Sequence, residues 1–140
     1  RTYVSFLRGD IDGNLPFAPA SFDLIVCGLV LGHYGDFEPI WTEFARLVRR
    51  GGHVLVTDFH PDIVAAGART TFAYKGRKYL LPNPPHSRDD YIEAAIAAGF
   101  EVVDAVDIPL SAVSPALLSE PFAATFRDRD IGLVMLARKK

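Results

Sequence analysis

The sequence of 140 residues lacks the features that would place it in several large classes of protein. Its single cysteine, Cys27, excludes an intrachain disulfide and an all-cysteine zinc site. It lacks a strong excess of charge, because 15 lysines and arginines stand against 17 aspartates and glutamates. This balance gives no overall attraction to nucleic acid or to an anionic membrane. The longest apolar run, residues 24–31, is too short to span a bilayer and is interrupted by Gly28.

Short catalytic and phosphate-binding patterns are also missing. The sequence contains no GxGxxG, no GxxxxGK[ST] and no GxSxG, which are signatures of dinucleotide binding, of P-loops and of the nucleophile elbow. No signal-peptide pattern is seen and the lone thiol lies in an apolar run, so we expect a cytoplasmic protein. With 49% apolar and 23% charged residues, we expect residues 1–140 to form a single globular domain.

Apolar patterning predicts an α/β fold. Residues 22–29 form a continuous apolar run, typical of a strand that is buried in a parallel sheet. A helical pattern follows, with Asp36 as the predicted N-cap and Arg49 and Arg50 in the predicted last turn before a glycine pair. Residues 53–58 form a second buried strand, so the segment predicts a right-handed βαβ unit.

The second half of the chain predicts a hairpin, a helix and two more strands. Ser87 is the predicted cap of the helix. The hairpin belongs to an insertion, residues 68–86, beyond the carboxyl end of a parallel strand, where ligands bind in such sheets. We therefore expect a lid or a substrate wall there. The predicted hairpin strands are residues 70–74 and 77–81, the helix is residues 88–98, and the later strands are residues 100–108 and 131–137.

An acidic loop near the start is the first candidate ligand site. Asp10, Asp12 and Asn14 alternate as in a calcium loop, but Leu15 and Ser21 stand where that loop needs glycine and glutamate, so we exclude calcium. The remaining interpretations are a turn held by aspartate hydrogen bonds after a short strand, or a loop in which Asp10 accepts a hydrogen bond from a ligand amine.

Residues 27–34 are the second candidate, since they follow a buried strand at the ligand edge of the sheet. Gly28 and Gly32 would allow another group to approach the backbone closely. His33 is a candidate base near neutral pH. The competing interpretation is that His33 only hydrogen-bonds to nearby backbone.

Residues 58–62 place two aspartates around a histidine, which are residue types that a metal accepts. The other histidines show no ligand spacing toward this segment, so we predict no metal. A metal-dependent hydrolase built on Asp58, His60 and Asp62 remains a competing hypothesis, as does a strand end with one of these side chains facing a pocket. His86 either leads into the following helix or lines a pocket.

Several segments together resemble class I S-adenosylmethionine-dependent methyltransferases of the small-molecule branch, of the type that acts in ubiquinone and biotin synthesis. Each motif is moderately specific, and their order along the chain matches that of the family. The segments are Gly9-Asp10 with Leu15-Pro16-Phe17 and Ser21 to Val26, Leu29 to Asp36, Glu43 to Val56, Asp58 to Pro61, and Tyr91 to Phe100.

The resemblance implies S-adenosylmethionine as the cofactor, S-adenosylhomocysteine as its product and a small-molecule methyl acceptor. It implies that Asp10 contacts the adenine amine, that Ile11 packs on the adenine ring and that His33 lies near the methyl group. It also implies that the backbone from Cys27 through Gly28 to Leu29 lies along the methionine moiety.

For catalysis, the resemblance makes His33 the first candidate for the base or for the group that orients the acceptor. His60 and His86 are the second candidates, and Tyr34 follows them. We expect no nucleic-acid or membrane partner. The basic residues of the hairpin are then a solvated face or help to hold an acidic acceptor.

The sequence departs from the family pattern at specific places. Arg50 replaces a proline, Gly32 replaces a histidine, and the glycine-rich loop and the ribose-binding acid are not found. We therefore expect a Rossmann-like sheet that is incomplete on its N-terminal side, as in the carboxyl-terminal part of a longer domain. Residues 22–29 would then be an unpaired apolar edge that favours self-association. The alternative to an enzyme is an inactive methyltransferase-like module with a binding or structural role.

Overall fold

The computed structural model describes residues 3–140 and contains four helices and six strands in that range. The strands are β1 (Phe22–Gly28), β2 (Val48–Phe59), β3 (Thr71–Tyr74), β4 (Arg77–Leu80), β5 (Phe100–Pro109) and β6 (Asp130–Lys139). The helices are α1 (Glu38–Leu47), α2 (Pro61–Ala65), α3 (Arg88–Ala97) and α4 (Glu120–Thr125), and short 3-10 turns occur at Leu31–His33, Leu110–Ala112 and Pro115–Leu117.

The main sheet has four strands in the order β1-β2-β6-β5. β1 and β2 are parallel and joined through α1, which confirms the predicted βαβ unit. β6 is antiparallel to both of its neighbours. The fold is therefore Rossmann-like α/β, with the hairpin β3–β4 as a separate two-stranded sheet.

Helices α1 and α3 cover one face of this sheet. Trp41 and Phe44 on α1 are buried with Tyr91 on α3 and Phe100 at the start of β5. Trp41 contacts both phenylalanine rings edge-on, with centroid distances of 5.5 Å to Phe44 and 5.2 Å to Phe100. Full burial of each such side chain is worth about 1.5–3 kcal/mol, so this cluster is the main source of stability on this face.

The predicted end of α1 is wrong. The helix stops at Leu47, and β2 already begins at Val48, so the arginines and glycines after it belong to a strand. Arg49 pairs with Asp23 across β1 and β2 instead of facing the helix dipole. Gly52 is required there because a Cβ would lie 2.8 Å from the Asp23 carbonyl oxygen. The N-terminus differs slightly too: Phe37 is the N-cap, and the Asp36 carboxylate accepts from the backbone N–H of Glu38 at 2.9 Å.

Two other expectations are corrected. The short strand expected before the acidic loop does not form: residues 3–8 are irregular, because an isolated strand has no partner for its backbone hydrogen bonds. β1 is not buried on both faces, since Leu24 and Val26 are 51% and 62% exposed and only Cys27 is buried. Within residues 3–140, β2 is the only strand that pairs with β1.

The hairpin and the start of α3 agree with prediction. Lys75 and Gly76 have positive φ angles in the turn, as a tight hairpin requires. Ser87 and Asp90 form a complete capping box, in which each side chain accepts from the other residue's backbone N–H. Helices α2 and α4 are short, and the sequence pattern does not resolve them. No helix among the described residues is both long and apolar enough for a transmembrane span.

Candidate active site

The parallel strands β1 and β2 end at the same edge of the sheet, and the candidate residues gather beyond it. The Asp58 carboxylate at the end of β2 accepts a 2.7 Å hydrogen bond from the backbone N–H of Gly32, in the 3-10 turn that follows β1. The hydroxyl of Tyr91 on α3 lies 3.4 Å from the same carboxylate oxygen. Asp58 thus joins the strand end, the turn and α3 at one point.

Close packing explains the glycine in this turn. A Cβ at Gly32 would lie 3.2 Å from the Tyr91 hydroxyl and 3.3 Å from the Asp58 carboxylate. Burial, reinforced by the Asp58 charge, strongly raises the pKa of the Tyr91 phenol, which therefore remains protonated as a donor. The sequence alone singled out Asp58 as a candidate site residue, whereas it marked Tyr91 only as the start of a segment that resembles the family.

The acidic loop and the turn after β1 meet at this edge. Partial burial, followed by the nearby carboxylates of Asp10 and Asp12, raises the pKa of the Tyr34 phenol. Ile11 packs against the same core cluster as Cys27 and lines a cavity with it. Asp10 itself is exposed to solvent, so its carboxylate is accessible to a ligand.

The backbone from Cys27 to Leu29 forms the bend at which β1 ends. Leu29 adopts a left-handed φ of 57°, and its N–H donates to the Thr57 carbonyl at 2.7 Å. A Cβ at Gly28 would lie 3.2 Å from the Thr57 hydroxyl, so the small residue lets the two strands approach each other. Burial and then the Asp58 charge raise the pKa of the Cys27 thiol to about 11, which keeps the thiol protonated and poorly nucleophilic.

Two of the histidine candidates, His33 and His86, form hydrogen bonds between the turn after β1 and the last residues of the insertion. His33 Nδ1 lies 2.7 Å from the Pro82 carbonyl oxygen, and His86 Nε2 lies 2.7 Å from the Tyr34 carbonyl oxygen. A carbonyl oxygen only accepts, so Nδ1 of His33 and Nε2 of His86 carry protons. In neutral His33 this leaves Nε2 with a free lone pair, and no residue from 3 to 140 hydrogen-bonds to it. His86 also stacks on Phe37, with ring centroids 4.3 Å apart.

His60 has a different environment. Its Nδ1 accepts from the backbone N–H of Asp62 at 3.1 Å and caps α2, and the side chain is buried. The proton of the neutral ring is then on Nε2, which lies 3.3 Å from the Asp107 carboxylate without a hydrogen bond of good geometry. His60 is therefore a structural cap in this fold, and its catalytic role remains a prediction.

The same histidine belongs to a possible metal-ligand cluster, with Asp107 and Asp130 and not with Asp58. The ligand atoms of the three residues lie within 4.8 Å of one another. However, the Arg88 Nε donates to Asp107 at 2.8 Å and places a positive charge beside the cluster. The protonated Nε2 of His60 also has no lone pair to offer a cation, so this arrangement disfavours a metal.

An ion pair that the sequence did not reveal positions the acidic loop. The buried Glu43 on α1 accepts from the Leu15 backbone N–H at 2.8 Å and from Arg46 Nη2 at 2.6 Å. Arg46 also donates to the Leu15 and Phe17 carbonyl oxygens at 3.0 and 2.8 Å. The hydrogen bond from Arg46 is the main reason that the pKa of Glu43 is lowered. The sequence does contain one indication of this ion pair, since Glu43 is a charged residue on the face of α1 that the apolar pattern predicts to be buried.

Comparison with known proteins agrees with this geometry. A family model described as a methyltransferase domain matches residues 1–56. A ubiquinone biosynthesis O-methyltransferase from Cupriavidus pinatubonensis is 31% identical over 127 residues, which cover 86% of this chain and 48% of that protein. In sequence and in fold the chain is similar to class I S-adenosylmethionine-dependent methyltransferases.

Solved structures of this methyltransferase class share the fold. An S-adenosylmethionine-dependent methyltransferase from Mesorhizobium loti superposes with a TM-score of 0.73 at 20% identity, covering 99% of this chain and 71% of that one. A geranyl diphosphate C-methyltransferase from Streptomyces coelicolor gives a TM-score of 0.63 at 16% identity, covering 94% and 52%. That structure contains Mg²⁺, geranyl diphosphate and S-adenosyl-L-homocysteine. The chain spans about half the length of the curated relatives it matches.

Proposed function

We propose that this protein transfers a methyl group from S-adenosylmethionine to a small-molecule acceptor. The observation that carries the proposal is that the loop with Asp10 and Ile11 meets the end of β1, where Ile11 lines one cavity with Cys27, at the carboxyl edge of two parallel strands. In open α/β sheets this edge is where ligands bind. The ubiquinone biosynthesis O-methyltransferase relatives support a small acceptor.

The residues at this edge fit a nucleoside and a methionine moiety. The exposed carboxylate of Asp10 can accept from an amine, and Ile11 beside it offers an apolar surface for a ring. At Gly28 the bend brings backbone without a side chain to the ligand edge. We therefore assign Asp10, Ile11 and the backbone from Cys27 to Leu29 to cofactor binding.

Bound S-adenosylmethionine supplies a methyl group on a positively charged sulfur. Held by Asp10, Ile11 and the backbone from Cys27 to Leu29, it would give this methyl group to the acceptor and would leave as S-adenosylhomocysteine, whose sulfur keeps the electron pair of the broken carbon–sulfur bond. The protein aligns the two reactants, and His33 takes the acceptor's proton on its free Nε2. The Pro82 carbonyl holds the His33 ring in the tautomer that this step needs. His86 and Tyr34 position the turn, since the His86 ring donates to the Tyr34 carbonyl.

Calorimetric titration with S-adenosylhomocysteine tests the cofactor assignment. We expect binding to the protein and at least about tenfold weaker binding to Asp10→Asn, which retains the shape of the side chain but loses the charge. Asp89→Asn, an exposed aspartate on α3, is the matched control and should bind like the parent. Undetectable binding by the unsubstituted chain would favour the inactive binding or structural module instead.

A further inference from the structure

A cavity of about 540 Å³ lies between α2, the base of the hairpin and α4, and the mechanism above does not use it. Its volume lies within the range of small-molecule sites. It adjoins the candidate active site, because Phe59, Val64 and Asn83 line both this cavity and a small recess that contains Gly32 and His86. We call it the α2–α4 cavity.

The floor of the α2–α4 cavity is apolar and aromatic. Phe59, whose side chain points away from the buried Asp58 because strand residues alternate, is 39% exposed and contributes to the lining. Phe122 on α4 and Phe126, which directly follows the helix, contribute a second aromatic wall, with ring centroids 4.8 Å apart. Such a surface suits an aryl or alkyl group, because binding there removes the apolar surface of the group from water, which is favourable.

The rim offers hydrogen-bond donors and a positive charge. The only charged residue in the lining is Arg69, which donates through one nitrogen, Nη1, to the Val64 and Ala68 carbonyl oxygens. No carboxylate of residues 3–140 lies within 4.0 Å of its guanidinium, so its charge is not paired within the protein. The side-chain amide oxygen of Asn83, Oδ1, accepts from the Thr70 N–H at 3.2 Å. The NH₂ group of the same amide is therefore available as a donor.

The surrounding sequence has the same sign of charge. From Ile63 to Arg88 there is no aspartate or glutamate, although the whole chain carries 17 of them. Lys75, Arg77 and Lys78 lie outside the lining and add positive charge to the hairpin, whose base at Thr70 and Thr71 lines the cavity. An anionic group at the mouth would therefore be attracted, and none of the lining residues would repel it.

We propose that the α2–α4 cavity binds the methyl acceptor, and that the acceptor is an aryl or alkyl molecule with one anionic oxygen group that Arg69 receives. The acceptor role rests on the proposed methyl transfer, whereas the binding chemistry does not. The apolar part lies against Phe59 and Phe122, and the anionic end pairs with the guanidinium of Arg69.

Two fluorescent probes of nearly the same shape test this binding chemistry. Anilinonaphthalene sulfonate has an aromatic body and an anionic group, and phenylnaphthylamine has the body alone. We expect Arg69→Gln to weaken sulfonate binding about tenfold and to leave phenylnaphthylamine binding unchanged. Arg69→Lys should recover most of the affinity, and Arg77→Gln removes an equal charge outside the lining and should have little effect.

A second variant locates the site. Thr125 is exposed on α4 and lines the cavity, so Thr125→Trp should fill the space and abolish binding of both probes. Unchanged binding by this variant, or equal weakening by Arg69→Gln and Arg77→Gln, would overturn the proposal. The probe titrations use no cofactor, so failure to bind S-adenosylhomocysteine would refute the methyltransferase function and leave the cavity's binding chemistry standing.

Discussion

The backbone N–H of Gly32 donates to the buried carboxylate of Asp58 over 2.7 Å, across 26 positions of sequence. Together with the hydrogen bond from the Leu29 N–H to the Thr57 carbonyl, this hydrogen bond holds the segment after β1 against the end of β2, and His33 in that segment lies beside the exit of the hairpin insertion. The shape of the candidate site therefore depends on a charge that the core must solvate with donors from Gly32, Phe59 and Tyr91.

Removal of this carboxylate should destabilise the protein. We expect Asp58→Ala to lower the free energy of unfolding by about 2–4 kcal/mol, because it leaves buried donors without a partner. Asp58→Asn retains one acceptor oxygen and should cost less. Urea unfolding measures both, with Asp104→Ala on the exposed side of β5 as the control, which should stay within about 0.5 kcal/mol of the parent. Equal stability of the alanine variant and the parent would contradict the role of Asp58.

His33 should contribute to catalysis through its free Nε2. In a methyltransferase assay that measures S-adenosylhomocysteine release, we expect His33→Ala to lower turnover by about 100-fold or more and to flatten its pH profile. Calorimetry should show that S-adenosylhomocysteine still binds. His53→Ala, in the first half of β2, is the matched control and should retain full activity. Unchanged turnover in His33→Ala would remove the histidine from the mechanism.

The pKa of Glu43 predicts a specific acid sensitivity. A carboxyl whose pKa is lower in the folded protein stabilises the fold above its unfolded pKa, and this contribution is lost as the pH falls through the folded value. We expect Glu43→Gln to cost about 1–2 kcal/mol at neutral pH and to make stability less dependent on pH in the acid range. Urea unfolding across that range measures this, and Glu93→Gln on α3 should behave like the parent. If the stability of Glu43→Gln falls with decreasing pH as steeply as that of the parent, the ion pair of Glu43 with Arg46 does not cause the acid sensitivity.

The exposed edge strand predicts association between copies of the 140-residue chain. Within the described range β1 pairs on one side only, and it presents Leu24 and Val26 to solvent. We expect the mass measured by light scattering to rise with concentration, and we expect Leu24→Lys with Val26→Lys to suppress the increase. Substitution of Phe72 and Tyr79 by lysine on the exposed hairpin provides a control for general gains in solubility. A monomer at every concentration would refute the prediction.

Short-range signals in the sequence predicted their elements well. The capping box of Ser87 and Asp90 and the turn at Lys75-Gly76 form within a few residues, so the local pattern contains the whole cause. The β1–α1–β2 unit was also predictable, because its apolar periodicity and its length leave little choice of topology.

The errors came from contacts between distant segments. The end of α1 was misplaced because Arg49 finds Asp23 on the neighbouring strand, and no pattern near residue 49 announces that partner. Residues 3–8 have the composition of a strand, yet a strand needs a neighbour. At the candidate site, Asp10, Gly32 and His33 were proposed from residue type and position, and their roles stay predictions. Glu43, Arg46 and Tyr91 were not proposed, because each acts through a contact that only the folded chain creates.

The two histidine hydrogen bonds between the turn after β1 and the insertion have a consequence for the motion of the hairpin. His33 reaches out to the Pro82 carbonyl, and four residues later His86 reaches back to the Tyr34 carbonyl, so two crossed ties fasten the segments together. If the hairpin swings away to admit or release a molecule, both ties break and the His33 ring is free to rotate. If His33 is the base proposed above, movement of the hairpin would change both the access to the site and the orientation of the proton-accepting nitrogen, so proton removal would require the closed arrangement.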